Sequence, residues 1–292
     1  MKILVPATSA NLGPGFDCLG LSLKLFNETI IEKSNLFSVK IHGEGSKNLF
    51  LKKNNIFINI FNEVYEKLSG KKEKFRFIFN NNIPISRGLG SSSAVIVGAI
   101  CSAYFMSGFS VDKKRILNEA LNYENHPDNI APATLGGFVC SLVENNKVYS
   151  IQKKIDENLR AVIVVPNVAM NTAQSRNTLP NNVNFKECVF NITHASFLTA
   201  CFLEKKYDLL RLASKDRLHE MRRMKNLPQL FEVQKFALEN RALMSTLSGS
   251  GSSFFSLVFK DETTYFAQKM QDKFKDFKVI CLEFNNKGFE IC

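Results

Sequence analysis

No stretch of the chain is apolar for long enough to span a bilayer. The longest, Ala94–Met106, falls short of the roughly 20 residues a membrane helix needs and reads instead as a buried helix of a soluble protein. The opening Met1-Lys2-Ile3-Leu4-Val5-Pro6 lacks the charged, apolar and cleavage regions of a signal peptide, which makes the cytoplasm the expected location. Heptad runs, low-complexity tracts and fixed-period repeats are missing too, which excludes coiled coils and solenoids. Cysteine is unpatterned: Cys18, Cys101, Cys140, Cys188, Cys201, Cys281 and Cys292 are odd in number and form no Cys-x-x-Cys. They read as reduced thiols, with neither a disulfide framework nor a zinc site. Histidine is scarcer still, and residues 42, 126, 194 and 219 show no metal-ligand spacing.

Acidic residues are also in deficit, 27 against 38 Lys+Arg, for a net charge of +11. A basic excess suits nucleic acid when it collects into a patch or tract. Here it is spread along a chain rich in Lys, Asn, Ile and Phe together, as a coding bias would produce. An anionic small molecule is partner enough for part of the excess, and no nucleic acid is expected.

With 292 residues, 45% of them hydrophobic, the chain can bury a sizeable core and divide into two domains. Short β-rich runs at Lys2–Pro6, Glu28–Glu32, Phe37–His42 and Lys74–Phe79 read as strands. Asn55–Leu68 has helical spacing, and Ser91–Phe105 and Val111–Tyr123 read as helices, the last capped by Ser110. Phe138–Val143 and Val148–Ile151 form a predicted hairpin. Beyond it come a strand at Ala161–Val165, helices at about Lys186–Leu203, Asp208–Leu218 and Leu227–Asn240, then strands at Leu243–Leu247, Phe254–Phe259 and Val279–Phe284 around a helix at Thr263–Phe274. Strands and helices mixed without a regular βαβ rhythm predict α+β. The boundary falls in Gln152–Asn158, giving domains 1–152 and 153–292.

The richest segment is Pro84-Ile85-Ser86-Arg87-Gly88-Leu89-Gly90-Ser91-Ser92-Ser93-Ala94, which runs straight into an apolar helix. A glycine turn at a helix N-terminus gathers free N–H groups where the macrodipole favours an anion. No lysine follows Gly90, so this is not a Walker loop, and Ser93 stands where a dinucleotide fingerprint needs its third glycine. Alone, the segment could be a tight turn with a serine cap. It is not alone. Val5–Asp17 is a second glycine-bearing loop after a strand, carrying Asn11 and Asp17, and Leu247–Ser253 is a third, between two strands. Three such loops are best explained by one site where backbone approaches a ligand.

These motifs, in this order, resemble the GHMP kinase superfamily, and within it the homoserine kinase family. Pro6–Asp17 is similar to its first motif and Pro84–Ala94 to its phosphate loop. Glu124-Asn125-His126-Pro127-Asp128-Asn129-Ile130-Ala131-Pro132-Ala133 is similar to its Glu-Gly-His-Pro-Asp-Asn-Val-Ala-Pro segment. The resemblance covers nearly the whole chain. It implies a two-domain α+β fold with a ferredoxin-like C-terminal domain, ATP in the cleft between the domains, Mg²⁺, and phosphorylation of L-homoserine in threonine biosynthesis. It also allows a homodimer.

By the same resemblance, the nucleotide lies on Pro84, Ser86, Arg87, Gly88, Leu89, Gly90, Ser91, Ser92, Ser93 and Ala94, with Asn55 either touching adenine or capping the helix it opens. Ser92 and Glu124 are the implied Mg²⁺ ligands, both hard oxygens. An amino-acid substrate demands an arginine clamp for its carboxylate and an oxygen for its ammonium. Arg176 and Arg223 supply the first; Asn11, Asp17 and His126 complete the contacts. Arg222 competes with Arg223, because Glu220-Met221-Arg222 departs from the family's usual Gln-Pro-Tyr. His126 could be a base, a bracing core histidine or a substrate contact. Sister kinases carry an aspartate base where this chain has Asn129, and Asp128 is expected to point elsewhere. The reaction is therefore expected to run by in-line attack with Asn129 and Asp17 orienting the hydroxyl, without a dedicated strong base. Asn125 in place of glycine and Ser252 in place of proline are further departures, both at turns. The rival readings are a mevalonate-type kinase and a nucleotide binder without catalysis.

Overall fold

The computed structural model describes residues 1–170 and 172–292; Asn171 lies outside the described residues, as do the side chains of residues 172–174. The chain opens with β1 (Lys2–Ala10), β2 (Leu19–Lys33), β3 (Ser38–Gly43), α1 (Leu49–Lys53), α2 (Ile56–Ser69), β4 (Phe75–Asn81), α3 (Ser91–Met106), α4 (Lys113–Ala120), α5 (Pro127–Leu135), β5 (Phe138–Glu144) and β6 (Lys147–Lys153). It continues through β7 (Leu159–Val165), α6 (Thr172–Asn177), α7 (Phe185–Leu203), α8 (Leu210–Ala213), α9 (Glu220–Met224), α10 (Gln229–Glu239), β8 (Met244–Leu247), β9 (Phe254–Phe259), α11 (Thr263–Lys273), β10 (Lys278–Leu282) and β11 (Glu290–Ile291).

Two sheets result. The first runs β11-β1-β2-β4-β3, with β5 on the N-terminal end of β2 and β6 on β5. The second is antiparallel in the order β10-β7-β9-β8, the split arrangement of a ferredoxin-like βαββαβ unit. β7 and β9 are apolar on both faces because both are covered. Ala161, Ile163 and Val165 join the large core shared with the first sheet, while Val162 and Val164 pack with residues of α10 and α11 such as Leu230, Val233, Phe266 and Met270. The extreme C-terminus crosses back to pair β11 with β1.

α3 is buried around most of its circumference, from Ala94 through Tyr104, as its apolar run predicts. Other expectations need correction. The helix expected from Val111 is shorter and capped by Asp112, whose carboxylate accepts from the Arg115 amide at 2.8 Å, in place of Ser110. The single helix expected over Asp208–Leu218 is broken. Asp216 draws the amides of Leu218, His219 and Glu220 onto Oδ2 at 3.1, 2.8 and 2.9 Å, so it ends the preceding turns and starts α9 as a cap does. β2 runs 15 residues, far beyond the expected Glu28–Glu32, because its N-terminal half pairs with β1 and β5. Among the described residues no helix is long and apolar enough to cross a membrane.

Candidate active site

The three glycine and serine loops converge on one cleft. The Thr8 amide donates to the Leu89 carbonyl at 3.1 Å, tying β1 to the phosphate loop. From the third loop, Ser248 Oγ donates to the Gly88 carbonyl at 2.7 Å and lies 2.9 Å from Ser9 Oγ, and the Ser253 amide donates to Arg87 O at 3.0 Å. Contact this close requires glycine. A Cβ on Gly88 would stand 2.0 Å from Ser248 O, and one on Gly90 1.9 Å from Thr8 Oγ1, at φ of +74° and +67°.

Gly90 caps α3 without any side-chain hydrogen bond, which leaves the first amides of a 16-residue helix turned to the cleft. Arg87 does not hold a free charge there. Its Nε and Nη2 donate to Pro166 O and Asn167 O, both at 3.0 Å, and fasten the loop to the end of β7.

Nearly every residue singled out in the sequence lines this cleft: Pro84, Ser86 to Ser93, Asn55, Asn11, Asp17, Glu124, His126, Asn129, Arg176 and Arg223. Ala94 does not; it is buried in the core beneath the loop. Asn55 caps α2 by accepting from the Ile58 amide at 3.3 Å, so its side-chain oxygen is in use although the residue reaches the cleft.

Asp17 organises the opposite wall. Arg176 Nη1 and Nη2 donate to its Oδ2 and Oδ1 at 3.0 and 2.7 Å, and His126 Nδ1 lies 3.3 Å from Oδ2. The Asp17 backbone is held at φ +57° by its amide donating to Asn11 Oδ1 at 3.0 Å. Arg176 has its guanidinium stabilised by Asp17, with its pKa raised accordingly. Burial lowers His126, only partly offset by Asp17, and favours neutral imidazole. Burial raises Glu124; Arg176 opposes this and Asp17 adds to it.

Of the two candidate arginines, Arg223 faces the cleft. It is buried, its Nη1 donates to Gly249 O at 3.0 Å, and its Nε finds no acceptor among the described residues. Burial, then Arg176, brings its pKa down to about 10. Arg222 turns away to the Arg217 carbonyl at 2.8 Å and to Glu187.

The structure adds two side chains at this wall and corrects a third. Phe16 puts its ring 5.1 Å from the guanidinium carbons of both Arg176 and Arg223, spacing two like charges by cation–π contact. Thr8 Oγ1 donates to Asn129 Oδ1 at 2.6 Å. Asp128, expected to point elsewhere, lines the cleft from a buried position, where burial, Asp17 and Glu124 push its carboxyl up to about 7. An aromatic and a threonine carry no chemical signature in sequence; Asp128 was legible only as a neighbour of Asn129. His219 braces the wall from behind, with Nε2 2.8 Å from Gly13 O and its ring 5.0 Å from Phe16.

A phosphate loop without a lysine, facing an arginine-rich wall across two α+β halves, is the cleft of a GHMP kinase, and residues 55–137 match the family described as the GHMP kinases N terminal domain. The chain is similar to the homoserine kinase of Campylobacter jejuni subsp. doylei, 77% identical over 292 residues that cover 100% of each. The crystal structure of homoserine kinase from Cytophaga hutchinsonii superposes with a TM-score of 0.88 at 26% identity, covering 100% of this chain and 97% of that one. The mevalonate kinase of Methanococcus jannaschii shares the fold, with a TM-score of 0.71 at 17% identity over 97% of this chain and 98% of the other. The chain belongs to the homoserine kinase family of the GHMP kinases.

Proposed function

We propose that the chain transfers the γ-phosphoryl group of ATP to the side-chain hydroxyl of L-homoserine, giving O-phospho-L-homoserine and ADP in the cytoplasmic synthesis of threonine. One observation carries the reading. Arg176 and Arg223 flank Phe16 beside Asp17 in the same cleft as the phosphate loop. Two guanidiniums match the carboxylate of an amino acid, and Asp17 with Asn11 matches its ammonium. Mevalonate offers a carboxylate but no ammonium, which leaves Asp17 without a cationic partner in the substrate.

Phosphoryl transfer is mostly positioning and neutralisation of charge. The amides at the start of α3 would take the polyphosphate. Ser92 and Glu124, which line the cleft together, suit Mg²⁺, which prefers few protein ligands and keeps several waters; among the described residues no cluster of three or more His, Cys, Asp or Glu forms a protein-only metal cage. Bound with the nucleotide, Mg²⁺ supplies charge neutralisation at the phosphate oxygens. Asn129, its Oδ1 engaged by Thr8, is left with its amide N–H groups to orient the substrate oxygen. An amide abstracts no proton. In a loose transition state the hydroxyl proton leaves late, so Asn129 and Asp17 need only align the attack.

The test is ADP release with Mg²⁺ present or chelated, over homoserine, threonine, mevalonate and galactose. Turnover with homoserine, lost on chelation, is expected. Turnover with mevalonate and none with homoserine would overturn the reading.

A further inference from the structure

Cys18 and Cys140 place their sulfurs 3.7 Å apart. Their backbones are already neighbours in the sheet: Leu19 pairs with Cys140, and the Ser141 amide donates to Cys18 O at 2.9 Å. Ladder-adjacent backbones of this kind bring two Cα atoms into the range a disulfide tolerates. Both residues are partly exposed, whereas Cys101 and Cys201 are buried, and among the described residues no other two cysteines share such a contact.

The surroundings favour oxidation. The Cys18 contact lowers the Cys140 thiol, against the opposing effect of burial. The same contact, together with burial, raises Cys18. Whichever sulfur ionises is held by the S–H of its neighbour. Cys18 also follows Phe16 and Asp17 directly, the residues that hold Arg176 and Arg223.

We propose that Cys18 and Cys140 are a reversible oxidation site, closed to a disulfide by peroxide, and that closure weakens binding of the amino-acid substrate while sparing the nucleotide. In the first step the Cys140 thiolate attacks one peroxide oxygen; an S–O bond forms, the O–O bond breaks, and the leaving hydroxide takes a proton to become water. In the second, the Cys18 sulfur attacks the Cys140 sulfenic acid; the S–S bond forms, the S–O bond breaks, and the Cys18 proton leaves with the hydroxyl as a second water. Two thiols are oxidised by two electrons and one peroxide is reduced; a dithiol reverses the change. Closing from 3.7 Å to the ~2.0 Å of an S–S bond draws the two residues together, and Cys18, in a turn, is freer to shift than Cys140, which the β5–β6 ladder holds; a shift of Cys18 carries with it the Asp17 carboxylate, one residue away. Neither Cys18 nor Asp17 makes a direct hydrogen bond to the phosphate loop among the described residues, so the nucleotide side is spared the direct displacement.

The experiment oxidises the full chain, with Cys188, Cys281 and Cys292 replaced by serine, using stoichiometric hydrogen peroxide. It maps disulfides by peptide mass and measures KM for homoserine and for ATP. A Cys18–Cys140 linkage, a rise in homoserine KM of about fivefold or more with ATP KM within about twofold, and reversal by dithiothreitol are expected. Cys18→Ser and Cys140→Ala, introduced separately, should each keep the reduced parameters and lose the reversible response. Failure of the 18–140 peptide to appear overturns the site. Its appearance with homoserine KM unchanged, or the same KM rise in Cys140→Ala, overturns the coupling. The kinetic arm rests on homoserine as substrate, but the peptide map does not, so failure of that reading and failure of this site are told apart.

Discussion

Thr8 Oγ1 donates to Asn129 Oδ1 at 2.6 Å, directly above the Cα of Gly90, where an added Cβ would meet both side chains, at 1.9 and 3.2 Å. The bond fixes the amide by its oxygen and turns its N–H groups to the cleft. Asn129→Asp would keep the shape but replace these donors with a carboxylate close to Asp17, Asp128 and the phosphates. A fall in kcat of about a hundredfold is expected, and Thr8→Val, which frees the amide, should cost about tenfold, with KM for ATP nearly constant in both. Steady-state kinetics decides it. Full activity in Asn129→Asp would remove Asn129 from the positioning role.

Arg176 grips Asp17 through two parallel hydrogen bonds, a geometry lysine cannot reproduce. Arg176→Lys retains the charge and loses the fork. Homoserine KM should rise about tenfold to a hundredfold, with ATP KM within about threefold. Equal loss for both substrates would place Arg176 outside the amino-acid site.

Gly88 and Gly108 have nearly the same φ, +74° and +79°, but only Gly88 has backbone against it, with Ser248 O 2.0 Å from the position of a Cβ; nothing lies within 4 Å at Gly108. Gly108→Ala therefore reports backbone strain alone, about 1 kcal/mol. Gly88→Ala adds displacement of the third loop, for a total of roughly 3 kcal/mol or more. Urea unfolding of both variants measures the difference, and similar losses would show that the loops are not held in contact.

Asp128 gives a stability signature in pH. Its folded carboxyl is raised to about 7, first by burial and then by Asp17 and Glu124, against 3.8 for the free group. A raised folded pKa means that the neutral form is the one accommodated. The stability it contributes is complete below about pH 4 and lost as pH climbs through about 7. Asp128→Asn removes the ionisation and should be more stable than the parent at alkaline pH by on the order of 1–3 kcal/mol, seen as a higher Tm, with a smaller gain near pH 5. Tm measured at both pH values checks the sign; a gain that does not change with pH would mean that the carboxyl does not titrate in this range.

The strands and helices with strong periodicity are legible from the spacing of apolar residues alone. α2, α7, β7 and the β5–β6 hairpin lie within a few residues of where the spacing puts them, because local pattern and tertiary demand agree there. The segment after α7 was misread. Asp216 gathers three amides, and a capping carboxylate in a polar stretch looks the same in sequence as a helical one. The extra length of β2 rests on β1 across the first loop and, at its start, on Phe138–Cys140 more than a hundred residues away, a partner no local window contains.

Residue types and their order set the chemistry available: a glycine and serine loop without a lysine, an amide at position 129, and arginines and carboxylates in recognisable motifs. Those facts follow from residue type and spacing, which the chain carries locally. Which of these groups meet depends on the packing of the folded chain. It chose Arg223 over Arg222, because α9 buries one guanidinium behind Phe16 and turns the other to the Arg217 carbonyl. It brought Asp128 into the cleft, placed Thr8 on Asn129, and set Cys18 beside Cys140. Each of these pairings crosses strand ladders or loops joined far apart in the chain, and such contacts come from the packing of the whole core.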